Sequence, residues 1–182
     1  ILFVSHSADP SEAVRKTNDY MTAYGDTDCI YATGEDYITP AADVIKSRGI
    51  TDCKIYGSNM SPSVCQLIMD GQVEACTGGE FVCGSLAVTL LINYLDGNPI
   101  KDADGTAPYF DNLTQFMVTA ENAEDFYEFL SDENLATHTI SDEEYQNLLV
   151  RNNPDVDYDY FYDFLTNYEE NVYAKVEANA AQ

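Results

Sequence analysis

Apolar and polar positions along the first hundred residues follow a repeating two-part beat. Short runs rich in β-branched, aromatic or thiol side chains occur at Ile1–Ser5, Asp28–Thr33, Cys53–Gly57 and Val73–Thr77, and they predict strands. Each is followed by a stretch whose apolar positions recur every three or four residues, the period of a helix face. Val14, Thr17, Met21 and Tyr24 form the first face, Ala41, Val44 and Ile45 the second, and Val64, Leu67 and Ile68 the third. Ala87, Leu90, Leu91, Tyr94 and Leu95 form the fourth and most apolar. Asp9-Pro10-Ser11-Glu12, Thr39-Pro40 and Ser61-Pro62 each place a capping side chain before a proline suited to the first helical position. Gly25, Gly49, Gly71 and Gly97 stand where the four helices have to stop. Four βα units in succession predict an α/β fold, a parallel βα-repeat sheet with right-handed crossovers and helices on both faces.

The pattern changes after Pro99. Asp102-Ala103-Asp104-Gly105 reads as a turn and Leu113–Thr119 as one more strand. Helical spacing then dominates, over Ala123–Leu130, over Asp142–Val150 and through Phe161, Phe164, Leu165, Tyr168 and Val172. The predicted division is an α/β domain over residues 1–122 and a helical C-terminal tail over 123–182. The aromatic faces Phe126-Phe129-Leu130 and Phe161-Phe164-Leu165-Tyr168 must be buried, because exposing several Phe and Tyr costs several kcal/mol at about 25 cal/mol per Å2. They cover either their own domain or a second copy of the chain, and their area favours a symmetric homodimer through the tail.

Charge narrows the functions open to this fold. Of 182 residues, 32 are acidic and 8 basic, a net charge of −24. Nucleic-acid backbones and anionic membrane surfaces need a basic stripe that eight scattered cations cannot build. The acid is concentrated after residue 100, where 19 acids face 3 bases, against 13 and 5 before it. No apolar run approaches the roughly 18 residues of a membrane span. The opening Ile1-Leu2-Phe3-Val4 has neither a basic flank nor a cleavage site, so a processed or excised chain lacking its signal segment is expected. Cys29, Cys53, Cys65, Cys76 and Cys83 contain no Cys-x-x-Cys pair and read as small hydrophobes, with one disulfide as the rival. With only His6 and His138 to add to them, no zinc site is expected.

Phosphate-binding glycine loops and a nucleophile elbow are absent from the sequence. Asp155-Val156-Asp157-Tyr158-Asp159 opens like a calcium loop, yet Tyr160 stands where a Gly is required and Thr166 where a Glu is, so Asp157 reads better as a helix cap. Topology is the stronger guide, since parallel sheets bind ligands outside the carboxyl ends of their strands. Those ends read Ser5-His6-Ser7, Thr33-Gly34-Glu35-Asp36, Ser58-Asn59-Met60 and Thr77-Gly78-Gly79-Glu80. Uncharged hydrogen-bonding groups beside acids suit hydroxyl-rich or cationic small molecules and reject anions.

The run Asp28-Cys-Ile-Tyr-Ala-Thr-Gly-Glu-Asp36, then Ala42–Gly49, Lys54–Asn59, Met69–Thr77 and Gly84 through Gly97, resembles the C-terminal lobe of type I periplasmic sugar-binding proteins. Val118-Thr-Ala-Glu-Asn122 is similar to that family's last crossing between lobes. Where the family carries an Asn-Asp pair this sequence has Gly34-Glu35; where it carries Gly-x-Asp there is Gly57-Ser58-Asn59; its usual Gln falls on Gly79 or Glu80. The resemblance implies one lobe of an extracytoplasmic solute-binding protein, periplasmic or lipid-anchored, that binds a sugar-like ligand without catalysis or cofactor and hands it to the membrane permease of an ABC importer. Tip position and resemblance together nominate His6, Gly34, Glu35, Asp36, Asn59 and Glu80 as ligand-binding residues. The alternatives are the effector lobe of a lac-repressor-type regulator, which shares the fold, and a small α/β enzyme using Glu35, Asp36 and Glu80.

Overall fold

The computed structural model describes residues 4–7, 9–133 and 139–181. Its elements are α1 (Pro10–Ala23), β1 (Cys29–Ala32), α2 (Glu35–Ser47), β2 (Lys54–Ser58), α3 (Pro62–Met69), β3 (Ala75–Gly78), α4 (Val82–Leu95), β4 (Phe116–Thr119), α5 (Ala123–Ser131), α6 (Asp142–Asn147), α7 (Tyr158–Thr166) and α8 (Tyr168–Ala180). The alternation of strand and helix runs from β1 to α4 as the pattern predicts. Of the strand expected at Ile1–Ser5, residues 1–3 lie outside the described residues, and Val4–Ser7 have no regular structure. His138 also lies outside them.

Local chemistry sets most helix ends. The Asp9 side chain accepts from the Glu12 N–H at 2.9 Å, and the Ser61 hydroxyl from the Val64 N–H at 3.3 Å, each followed by Pro at the first helical position. Thr39-Pro40 behaves differently: α2 begins at Glu35 behind Gly34, and Pro40 lies inside it. Proline in an early turn forfeits one intrahelical bond, a cost the burial of Pro40 and its neighbours Ile38, Ala41 and Ala42 offsets. Gly49, Gly71 and Gly97 follow α2, α3 and α4 with φ of 65°, 70° and 82°, the left-handed stop that glycine adopts without penalty.

The chain forms two compact units, Ile1–Gly78 with Met117–Glu128, and Gly79–Phe116 with Phe129–Gln182. The segment from Gly79 to Phe116 therefore groups with the tail, so the units are drawn differently from the sequence division at residue 122. The first unit is built on the sheet, whose strand order is β1-β2-β3-β4. β1 and β2 are parallel with Tyr31 opposite Tyr56, and β2 and β3 are parallel with Gly57 opposite Cys76. Ala32, Ile55, Gly57, Cys76 and Val118 are buried, whereas Tyr31, Tyr56 and Met117, pointing the other way along their strands, are exposed. Ile38 of α2, fully buried, sits directly over Gly57. α1 is turned slightly from its expected face: Ala13 and Met21 are buried, while Val14 and Tyr24 are exposed.

In the second unit α4 also presents a different face. Val82, Leu86, Thr89 and Asn93 are buried, and Leu91, Tyr94 and Leu95 of the expected face are exposed. A helix apolar on every side carries no periodic signal to orient it, and a polar residue decides instead. Asn93, with no exposure, donates to the Leu148 carbonyl at 2.9 Å and accepts from the Val150 N–H at 3.0 Å. These contacts take up backbone groups just past α6, which ends at Asn147 and not at Val150. The stripe from Phe161 to Val172 spans two helices, α7 and α8, divided at Asn167. Thr114 holds the division: its hydroxyl donates to the Leu165 and Thr166 carbonyls and accepts from the Glu169 N–H. Asp157 caps α7 by accepting from the Tyr160 N–H at 3.0 Å.

Phe126, Phe129 and Leu130, and Phe161, Leu165 and Tyr168, are all buried within one chain. The apolar area that favoured a homodimer is thus already covered, and that expectation loses its physical ground. None of the five cysteines forms a disulfide among the described residues; Cys53, Cys65 and Cys76 are buried as small hydrophobes, whereas Cys29 and Cys83 are exposed. Burial pushes the Cys65 thiol up to about 12, which keeps it protonated.

Two predictions follow from the second unit. Replacing Asn93 by Ala strands the buried Leu148 carbonyl and the half-buried Val150 N–H, and should lower unfolding free energy by about 2–3 kcal/mol in urea titration. A loss within error of that for the exposed Asn98→Ala variant contradicts the bridging role. The second concerns Glu144, which closes a capping box with Ser141 and pairs with Lys175. Burial pushes its carboxyl up, but the Lys175 ammonium and the Ser141 N–H and hydroxyl together hold it below its ordinary value of 4.5. A depressed folded-state value stabilises above the unfolded value and fades as pH falls through the folded one. Melting temperature should therefore fall more steeply below about pH 4.5 in the wild type than in Glu144→Gln, and parallel acid limbs rule this out.

Candidate functional site

The carboxyl ends of β1 and β2 are joined by side-chain chemistry. Gly34, buried and extended at φ −178°, caps α2 through its carbonyl, which accepts from the Tyr37 and Ile38 N–H groups at 2.9 Å. Glu35 and Asp36 occupy the first turn of α2, where the helix dipole favours negative charge. Glu35 is half-buried and accepts a hydrogen bond from the Ser63 hydroxyl, whose oxygen lies 3.0 Å from that of Ser61, the cap of α3. Asp36 is exposed. Two helix starts from neighbouring βα units are thereby stitched together by one carboxylate and two serines.

Asn59, exposed between β2 and α3, has φ +78°, and no other non-glycine residue among those described has a positive φ. Asn tolerates the left-handed region better than most side chains, and the turn aims the chain so that Met60 is buried against Cys65 at 3.5 Å. His6 is exposed, with its carbonyl accepting from the Lys16 ammonium and, at 3.4 Å, from the Ser5 hydroxyl. The Tyr37 hydroxyl donates to the neighbouring Ser7 carbonyl at 3.1 Å, which ties the His6 segment to the first turns of α2. The first unit thus brings His6, Gly34, Glu35, Asp36 and Asn59 to the rim formed by the carboxyl ends of β1 and β2.

Glu80 belongs to the second unit, two residues beyond the end of β3. Its two carboxylate oxygens are buried and make no hydrogen bond. Tyr168 lies against the adjacent Gly79, whose φ is +115°. Sequence reasoning missed Tyr37, Ser63, Tyr168 and Thr139. Ser63 was within reach, because it directly follows the Ser61-Pro62 pair; Tyr168 lies 88 positions after Glu80 and gives no local signal.

The rim of a parallel sheet, lined by short polar side chains and acids, is where this type of sheet receives small molecules. Comparison with known proteins places the chain in a family. Residues 3–99, more than half of the sequence, match the periplasmic binding protein domain. No curated protein matches the chain. Among solved structures, a periplasmic sugar-binding protein from Pseudomonas fluorescens aligns with a TM-score of 0.60 and 19% identity over 84% of this chain and 45% of that one. The arabinose ABC transporter's periplasmic binding component from Shewanella sp. ANA-3, bound to arabinofuranose, gives 0.56 and 20% over 70% and 42%. The Caulobacter myo-inositol binding protein gives 0.52 and 17% over 64% and 39%. The chain belongs to the periplasmic binding protein domain family, whose members are non-enzymatic components of transport. It spans less than half the length of these solved structures.

The strained turn supplies a prediction. Asn59→Gly should be neutral within about 0.5 kcal/mol, whereas Asn59→Val, β-branched and forced into φ +78°, should cost about 1–2 kcal/mol by chemical denaturation. Equal stability of the two variants refutes the assignment of a left-handed turn.

Proposed function

We propose that the chain forms part of an extracytoplasmic solute-binding protein and binds a sugar-like molecule for delivery to the membrane permease of an ABC importer. The observation that carries this reading is the rim just described: Glu35, Asp36 and Asn59 follow the carboxyl ends of two parallel strands, and the segment beside His6 is tied to α2 through Tyr37, in a periplasmic binding protein fold. Carboxylates accept hydrogen bonds from sugar hydroxyls, Asn59 both donates and accepts, and the His6 ring supplies a further polar edge. Gly34 leaves room beside them. On this reading residues 1–122 carry recognition, 123–182 are an appended acidic tail, and the protein works outside the cytoplasm, in the periplasm or anchored by lipid at the cell surface. The solved structures bound to arabinofuranose and myo-inositol support a polyhydroxylated ligand. The excess of acid supports a neutral one, because an anion would be repelled.

Two-lobed members of such a family close on their ligand by a hinge. A chain whose match spans less than half of its structural relatives should grip weakly, with a dissociation constant no tighter than about 1 mM, or roughly −4 kcal/mol. Calorimetry and amide chemical-shift titration against arabinose, galactose, ribose and myo-inositol test this. The expected result is millimolar binding by at least one sugar, with shifts at His6, Asp36 and Asn59 that Asp36→Ala and Asn59→Ala reduce several-fold. Silence at those positions up to about 100 mM of every sugar overturns the reading. A micromolar ligand instead shows that the chain alone holds a complete site.

A further inference from the structure

The second unit carries an ordered series of aromatic rings to its surface. The segment before β4 is fastened along α7: the Tyr158 hydroxyl donates to the Tyr109 carbonyl at 3.1 Å, and the Asn112 amide donates to the Tyr162 carbonyl and the Thr166 hydroxyl, each at 2.7 Å. These bonds lay Phe110 on the helix, 4.9 Å from Tyr158 with 20° between the ring planes and 5.9 Å from Phe161 with 23°. Tyr158 continues the series to Tyr162, one turn further, at 6.2 Å and 27°. Phe161 is buried, whereas Tyr162 is 41% exposed and Tyr109 is 72% exposed. The series therefore begins in the core and ends in water at Tyr162. Single exposed tyrosines are ordinary, but near-parallel rings pinned by three hydrogen bonds up to the surface form a rigid platform.

The charge around this platform has one sign. Residues three or four apart share a helix face, which puts Asp159 beside Tyr162 and Asp163 beside Asp159. Both acids are exposed, and Asp111 follows Phe110 on the neighbouring segment. No Lys or Arg occurs from Asp102 to Val150 or from Asn152 to Ala174, and the two cations that bound the second stretch, Arg151 and Lys175, are committed to Asp96 and Glu144. An exposed ring face beside a free carboxylate suits a guanidinium, which stacks its plane on the ring and offers a fork of N–H donors to the acid. An ammonium, compact and strongly hydrated, uses only the charge. We propose that this face of α7 is a docking surface for an arginine-bearing basic segment of a partner protein, with one guanidinium stacked on Tyr162 and paired with Asp159. The same acids repel anionic partners and a second copy of this chain, whose net charge is −24. A neutral ring would stack on Tyr162 but leave Asp159 unpaired. The surface belongs to the second unit, and the inference does not rest on the sugar-binding reading.

The test uses the full chain at physiological ionic strength, where long-range attraction is screened. Three soluble peptides of one length alternate glycine with arginine, with lysine or with citrulline, the last as planar as arginine but uncharged. Calorimetry measures affinity, and ring-proton shifts of Tyr158 and Tyr162 locate the site. The arginine peptide should bind several-fold more tightly than the lysine peptide and far more tightly than the citrulline one, with the largest shift at Tyr162. Tyr162→Phe, which keeps the ring face, should bind as the wild type does. Tyr162→Leu should lower the arginine affinity to the lysine level and leave the lysine affinity unchanged, while Asp159→Asn should weaken both. Equal affinity for arginine and lysine peptides shows attraction by net charge alone and overturns the proposal. A Tyr162→Leu protein that keeps its preference for arginine overturns it too, as does a citrulline peptide that binds as tightly as the arginine one. Shifts of these rings with arabinose or myo-inositol and with no peptide assign the platform to a neutral ligand and likewise overturn it. The wild-type comparison of arginine with lysine decides the matter even where a variant does not fold.

Discussion

The seat of Ile38 on Gly57 is the contact on which the rest of the first unit depends. A Cβ at position 57 would lie 2.4 Å from Ile38 Cδ1 and 3.0 Å from the Ala32 carbonyl oxygen, inside the distance real side chains tolerate. Glycine therefore lets α2 lie close against β1 and β2, and Ile38 fills the space with no exposed surface left. Three residues before Ile38 is Glu35, the carboxylate that Ser63 holds. Lifting α2 off the sheet would move Glu35 away from Ser63 and would pull Tyr37 from the Ser7 carbonyl. A packing constraint at the centre of the sheet thus becomes a positional constraint at its polar rim.

The rim uses its acids twice. Glu35 and Asp36 sit in the first turn of a helix whose cap, Gly34, has no side chain to satisfy the free N–H groups, so their charge complements the dipole there. The same charge makes the rim receptive to hydrogen-bond donors and hostile to anions. Ser61 and Ser63 divide a similar pair of tasks: one caps α3, the other reaches across to α2. Side chains with a structural duty on one bond and a free lone pair on another can be both rigid and receptive, which is what a small-molecule site requires.

Much of the first unit was legible because local rules decide it. The caps at Asp9 and Ser61, the glycine stops after α2, α3 and α4, and strands β1 to β3 obey propensities that act within a few residues. The errors occurred where a distant partner decides. Pro40 was read as a helix start because the cap-then-Pro signature is local, whereas burial of Ile38 and Ala41 carries α2 back to Glu35. The face of α4 was misplaced because Asn93 turns inward to backbone groups 55 and 57 residues later. The break between α7 and α8 depends on Thr114, about 50 residues upstream, and no periodicity within the helices reveals it. The same holds for the candidate site: five residues of the rim follow from their places after predicted strands, while the bonds that tie them, Tyr37 to the Ser7 carbonyl and Ser63 to Glu35, join segments 30 and 28 residues apart.

Charge sets a further constraint on this chain. With 8 cations for 32 acids, most carboxylates can have no ionic partner, and on the surface water makes this tolerable. Where backbone and ring remove the water, each acid needs its own arrangement. Glu144 has one, combining a capping box with Lys175, and its carboxyl is held below the ordinary value despite burial. Glu80 is enclosed without either device. Glu144 shows what such an acid needs: a reciprocal cap and a lysine that together outweigh the cost of its burial.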